Sequence, residues 1–291
     1  MAHNRVAFAV IHGMGNQSTT RPALNTITFS ADLYSGVKSK FTAFDEHVAW
    51  REISWADILY DSQQGYFDRA FGGRDFRHHK WNWVRDYVIH NLGDPAAYFK
   101  STDTNAYAYR AVHERVAETI SELERQAGAG TPLLIFAHSL GGHIMSNYIY
   151  DAQKFATTGK PAVVQMATEF EKLRTFCGFL TFGCNIPVLT FGFHPADLVP
   201  IAPPRSQARA KLKTWWMNVN DRDDVLGMPL AAIGEHYKAL ADDRQLRDVW
   251  IDAGPFWRSW SPMSHYDYWK DPKFHDIAAD MIAKALKIGP M

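Results

Sequence analysis

The segment Ala137-His138-Ser139-Leu140-Gly141 holds the residues best suited to covalent chemistry. It stands one residue away from G-x-S-x-G. A serine nucleophile in that pattern sits on a very tight strand-to-helix turn, in a strained backbone conformation, so the residues two positions to either side must be small. Ala137 adds one methyl where the pattern has glycine, which such a turn accepts. An apolar run, Leu133 to Phe136, comes directly before, and a helical pattern follows from residue 142 to about 156. A helix N-terminus behind Ser139 favours developing negative charge. The competing reading of Ser139 is a plain helix N-cap.

Acyl transfer from a serine needs three further groups. The first is a pair of backbone N–H donors for the oxyanion. Leu140, after the nucleophile, supplies one, and Met14 in the loop His12-Gly13-Met14-Gly15-Asn16 is the candidate for the other. Gly13-Met14-Gly15 also begins a dinucleotide-binding fingerprint, but position 18 is Ser instead of the third glycine and no phosphate-loop lysine follows. The second group is a carboxylate that orients the base. The stretch Trp216 to Pro229 contains Asp221, Asp223 and Asp224. Asp223 is the first choice for the acid, from its spacing to Val225 and Pro229, and Asp224 is the alternative. Asp197, in His194-Pro-Ala-Asp197, is an outside candidate. The third group is a histidine, whose ordinary pKa lies near working pH. His265 stands out among 13 histidines because it follows the last expected strand and lies in a ring-rich loop. There is no His-Glu-x-x-His and no Cys/His pair at zinc spacing, so no catalytic metal and no other cofactor is expected.

Ser139, Asp223 and His265 stand in the order Ser…Asp…His, the chain order of α/β-hydrolases. With the Ala-His-Ser-Leu-Gly elbow and the His-Gly loop, the chain resembles that superfamily in its lipase and esterase branch. Thr181-Phe-Gly-Cys-Asn-Ile-Pro187 is similar to the T-x-G-S-P segment of lipase-like members. The resemblance covers residue 6 to the C-terminus. It departs from the family at Ala137, and in lacking the two N-terminal strands. It implies a serine hydrolase that cleaves carboxylic esters through an acyl-enzyme, acting on a small-molecule or lipid-like ester. An amidase, thioesterase or acyltransferase with the same triad is the nearest alternative. A catalytically inactive hydrolase-fold binding protein is the alternative from another class.

The elements that must position these groups follow an α/β rhythm. Strands are expected at 6–11, 47–55, 133–136, 176–182, 212–219 and 246–251, making a mostly parallel sheet of about six strands. Helices are expected at 22–40, 104–127, 142–156 and 274–287. Residues 56–100 break the rhythm and read as a mostly helical cap or lid inserted into one 291-residue hydrolase domain.

Composition bounds the rest. Lys and Arg total 31 against 31 Asp and Glu, which gives no electrostatic reason to expect a nucleic-acid partner. No apolar run reaches the roughly 18 residues of a transmembrane helix. Two cysteines, Cys177 and Cys184, exclude a disulfide framework and make a reducing cytoplasm the expected location. Oligomeric state is not encoded in any pattern. Aromatic residues make up 14% of the chain and concentrate in the insertion and around His265, which predicts a ring-lined apolar pocket.

Overall fold

A computed structural model describes residues 4–14, 20–73, 80–98, 107–158, 163–202, 212–254 and 262–290. In chain order the elements are β1 (Val6–Ile11), α1 (Ala31–Lys38), α2 (Phe44–His47), β2 (Val48–Ile53), α3 (Asp57–Phe71), α4 (Asn82–Ala97) and α5 (Tyr107–Ala127). There follow β3 (Leu133–His138), α6 (Leu140–Thr158), β4 (Phe176–Phe182), α7 (Ile186–Thr190), β5 (Trp216–Asp221), α8 (Glu235–Asp242) and β6 (Leu246–Ile251). A 3₁₀ segment, Pro262–Lys270, and α9 (Pro272–Leu286) close the chain.

The six strands form one all-parallel sheet in the order β2-β1-β3-β4-β5-β6. A parallel sheet is covered on both faces, so its central strands read as continuous apolar runs. Every residue of β1, β3 and β4 is buried, as that rule requires. Helices α5 and α6 pack together and against β1, β2 and β3, while α1 packs on α9, which covers β1 and β4. The amphipathic spacing of α5 buries Val112, Val116, Ile120 and Leu123.

The chain runs outward from β1 to β2, then returns to the other side of β1 to start β3. The C-terminal ends of β1 and β3 therefore flank a topological switch point, where open α/β sheets form their crevices. The loops His12–Met14 and Ser139–Leu140 both leave the sheet at that point.

The α/β class and all six strands match expectation; the second strand shortens from 47–55 to Val48–Ile53, the third runs on from 136 to His138, and two elements differ more. The fifth strand runs from 216 to 221 and not from 212 to 219. Leu212 already donates to the Cys177 carbonyl, but a bend at 213–214 separates it from the ladder. The expected helix at 22–40 is confined to Ala31–Lys38. The preceding segment is captured by the buried Glu52 carboxylate, which accepts from the backbone N–H and the hydroxyl of both Thr28 and Ser30. The insertion at 56–100 contains the two helices α3 and α4, packed on each other, and α3 leans on α5. His78 and His79 lie outside the described residues. No helix among the described residues is long and apolar enough to cross a membrane.

Glu52 organises the entry to α1 through four donors in a buried place, so removing it orphans them. Glu52→Ala is expected to cost about 3 kcal/mol or more in urea unfolding. A loss below about 1 kcal/mol would show that the segment is held by packing alone.

Candidate active site

Ser139 joins β3 directly to α6 and has φ of +53°, the left-handed region that non-glycine residues rarely enter. The turn is held at both ends. Ser139 N–H donates to the Phe182 carbonyl at the end of β4, and the Ser139 carbonyl accepts from Gly142 N–H. Tight packing explains the small neighbours. Ala137 is wedged between Ile11 of β1 and Thr181 of β4. A Cβ on Gly141 would stand 2.6 Å from the His12 carbonyl oxygen.

The loop after β1 lies directly over the serine. A Cβ on Gly13 would come within 2.5 Å of Ser139 Cβ and 3.1 Å of its Oγ. Met14 follows Gly13 at this approach. Leu140 is the first residue of α6, where backbone N–H groups have no intrahelical acceptor. Both expected oxyanion amides thus belong to segments that meet at Ser139. Gly15, Asn16 and Ser18 lie outside the described residues.

His12 shapes this loop. Its Nδ1–H donates to the Gly13 carbonyl (2.7 Å), its Nε2 accepts from Trp55 N–H (3.2 Å), and the Trp55 indole donates to the His12 carbonyl. The two rings stack at 5.2 Å. One donor and one acceptor are each used, which only the neutral ring can do. Burial pushes its pKa down to about 4.

His265 lies in the 3₁₀ segment, buried, with Nδ1 at 2.9 and 3.0 Å from the two carboxylate oxygens of Asp224. With Nδ1–H committed to the carboxylate, Nε2 carries the lone pair. Gly183 makes room for the pair, since a Cβ there would stand about 3 Å from both Asp224 Oδ2 and the His265 ring. Burial alone would raise the Asp224 pKa. The His265 hydrogen bond and charge, Leu226 N–H and the Tyr268 hydroxyl outweigh it and hold the group below its ordinary value. Ser139 Oγ and His265 Nε2 are both buried, and each lacks a hydrogen-bond partner among the described residues.

The first-choice acid, Asp223, is not brought to His265. It is exposed, and its N–H donates to Asp221 Oδ1. The turn after β5 points one carboxylate of the adjacent pair outward and the other inward. Asp224 faces inward because Oδ1 accepts from Leu226 N–H, and because Gly227 and Gly183 leave room for it. Asp221 is fastened by the backbone N–H groups of Asp223 and Ala253. Asp197 is exposed, at the end of a short 3₁₀ turn, Pro195–Asp197, that follows α7.

Two side chains beside the site escaped sequence reasoning. His138 is fully buried, and its Nε2–H donates to the His265 carbonyl at 2.8 Å, tying the elbow to the histidine loop. Burial holds it well below its usual pKa, and the nearby His265 adds to this. Tyr268 donates to Asp224 Oδ2 at 2.9 Å. The only sequence signal for Tyr268 was its place three residues after His265. The ring-rich surroundings are present as packing: Phe182, Tyr266, Tyr268 and Trp269 surround His138 at 5.0 to 6.1 Å. Among the described residues, no group of three or more His, Cys, Asp or Glu is arranged to hold a metal ion.

No protein-family model matches the chain, and no curated protein matches it.

The buried neutral histidine under the loop gives a pH signature. The folded pKa of His12 lies below its usual 6.5, so its contribution to stability is complete above about pH 6.5 and is lost as pH falls towards 4. The full contribution is about 3 kcal/mol. Urea unfolding at pH 7 and pH 4.5 should show most of that loss. Equal stability at the two pH values would contradict a neutral, buried His12.

Proposed function

We propose that the protein is a serine hydrolase that cleaves carboxylic esters through an acyl-enzyme, with Ser139 as nucleophile, His265 as base and Asp224 as the orienting acid. The observation that carries this reading is the buried Asp224–His265 pair. It commits Nδ1–H and leaves Nε2 without a partner among the described residues, on a segment tied to the serine's turn through His138, while Ser139 Oγ is also unpartnered and not yet hydrogen-bonded to Nε2. The resemblance to the lipase and esterase branch of the α/β-hydrolases supports it. So does the location of Ser139 and the Met14 loop at the switch point of a parallel sheet.

Ser139 Oγ attacks the ester carbonyl while His265 Nε2 takes its proton. The carbonyl oxygen becomes an oxyanion, held by the N–H groups of Leu140 and Met14 and favoured by the α6 N-terminus. Asp224 keeps the imidazole in the tautomer with Nδ1–H and stabilises the imidazolium, without taking the proton itself. The imidazolium returns the proton to the leaving alcohol. Water, deprotonated by His265, then attacks the acyl-enzyme and releases the acid, restoring Ser139. His12, neutral by its hydrogen bonds and burial, contributes no charge and holds the loop that carries Met14.

Hydrolysis of short p-nitrophenyl esters, compared with matching amides and thioesters, tests the reaction class. Esters should turn over fastest, and Ser139→Ala should abolish turnover. Asp224→Asn should lower kcat on the order of 10⁴-fold by fixing the wrong histidine tautomer, while Asp223→Asn should remain near wild type. Esters left untouched by the folded protein would overturn the reading. Faster thioester or amide cleavage would move it to the other acyl transfers. A large loss in Asp223→Asn with Asp224→Asn unaffected would reverse the assignment of the acid.

A further inference from the structure

His265 and Tyr268 lie three residues apart in the 3₁₀ segment Pro262–Lys270. Side chains at i and i+3 eclipse in this helix, so both project from one face. Both reach the same carboxylate: His265 Nδ1 contacts both oxygens of Asp224, and the Tyr268 hydroxyl lies 2.9 Å from Oδ2. The direction of the second bond follows from the third partner. Asp221 N–H donates to the Tyr268 oxygen at 2.6 Å, so that oxygen is the acceptor there and its proton is left for Asp224. Leu226 N–H holds Oδ1 in turn. Each carboxylate oxygen therefore has its own anchor in addition to the histidine.

We propose that Tyr268 is a positioning residue for the candidate triad: its hydroxyl, fixed by Asp221 N–H, holds the Asp224 carboxylate square to His265 Nδ1 and carries part of its charge. This rests on the reading of Asp224 and His265 as acid and base. The segment that brings the base thus also brings the brace for its acid, so a shift of this segment moves both together. The ring of Tyr268 is buried against Phe182 and Phe274, which fixes its hydroxyl without help from solvent. The other titratable groups facing Asp224 are Asp221 at the end of β5 and His138 from β3.

The test reads the carboxylate directly, by ¹³C NMR titration of Asp224 in the folded protein without substrate. Tyr268→Phe keeps the ring and removes the donor, so the Asp224 midpoint should rise by roughly one pH unit. Replacing Tyr268 with 3-fluorotyrosine keeps both hydrogen bonds with a more acidic hydroxyl, so the midpoint should fall below that of the unmodified protein. This second variant decides the matter if Tyr268→Phe does not fold. In ester turnover, Tyr268→Phe should lower kcat with KM unchanged. An Asp224 midpoint that is the same with tyrosine, phenylalanine and fluorotyrosine at position 268 would overturn the proposal. Because the titration needs no turnover, absent esterase activity would sink the hydrolase reading without touching this result.

Discussion

The strained turn at Ser139 is the constraint on which the rest of the structure depends. A non-glycine residue at positive φ costs on the order of 1 kcal/mol or more and persists only where its surroundings over-determine it. Here the surroundings are two hydrogen bonds, to Phe182 and from Gly142, and contacts so close that neighbouring positions admit little more than a hydrogen. The strain ends β3 abruptly and starts α6 within one residue, which puts the serine at the helix N-terminus and not along its side. It also demands that the β1 loop pass almost in contact with the serine. His12 and Trp55 maintain that passage through a closed set of hydrogen bonds.

The sheet topology gives this turn its partners. Because β1 and β3 are neighbours and β4 lies next, three strand ends converge on one place. The β1 end carries His12 to Met14, the β3 end carries Ser139, and the β4 end carries Gly183, whose missing side chain admits Asp224 and His265. His265 arrives from far along the chain and is fastened twice, through Nδ1 to Asp224 and through its own carbonyl to His138. Ser139 and His265 are thus joined through backbone and neighbouring side chains, while Oγ and Nε2 each have no hydrogen-bond partner among the described residues, one another included.

Much of this was legible in the sequence, for definite reasons. Buried parallel strands are short and mostly apolar, so β1, β3 and β4 stood out as continuous runs and β2 by its alternation, although bends and side-chain captures moved neighbouring boundaries. The helix expected at 22–40 failed at its first half because Glu52, distant in sequence, takes the backbone N–H groups of Thr28 and Ser30. Ser139 was visible because its turn restricts five consecutive residue types. Histidine 265 was visible only through its place after the last strand. The carboxylate paired with His265 was resolved no further than adjacent aspartates, because a one-residue step in a turn reverses which side chain faces inward. Local spacing carries no information about Leu226 N–H, Gly183 or Tyr268, the groups that draw Asp224 in. Tyr268 was hidden for a related reason: His-x-x-Tyr acquires meaning only in a 3₁₀ segment, which leaves no periodic apolar pattern.

The central claim is that Ser139 is a nucleophile activated by His265. Incubation of the folded protein with a fluorophosphonate, followed by peptide mass spectrometry, tests it most directly. The account predicts one stoichiometric phosphonyl adduct, located on Ser139, and its absence after His265→Ala. No adduct on the folded protein, or an adduct on another serine with Ser139 untouched, would contradict it.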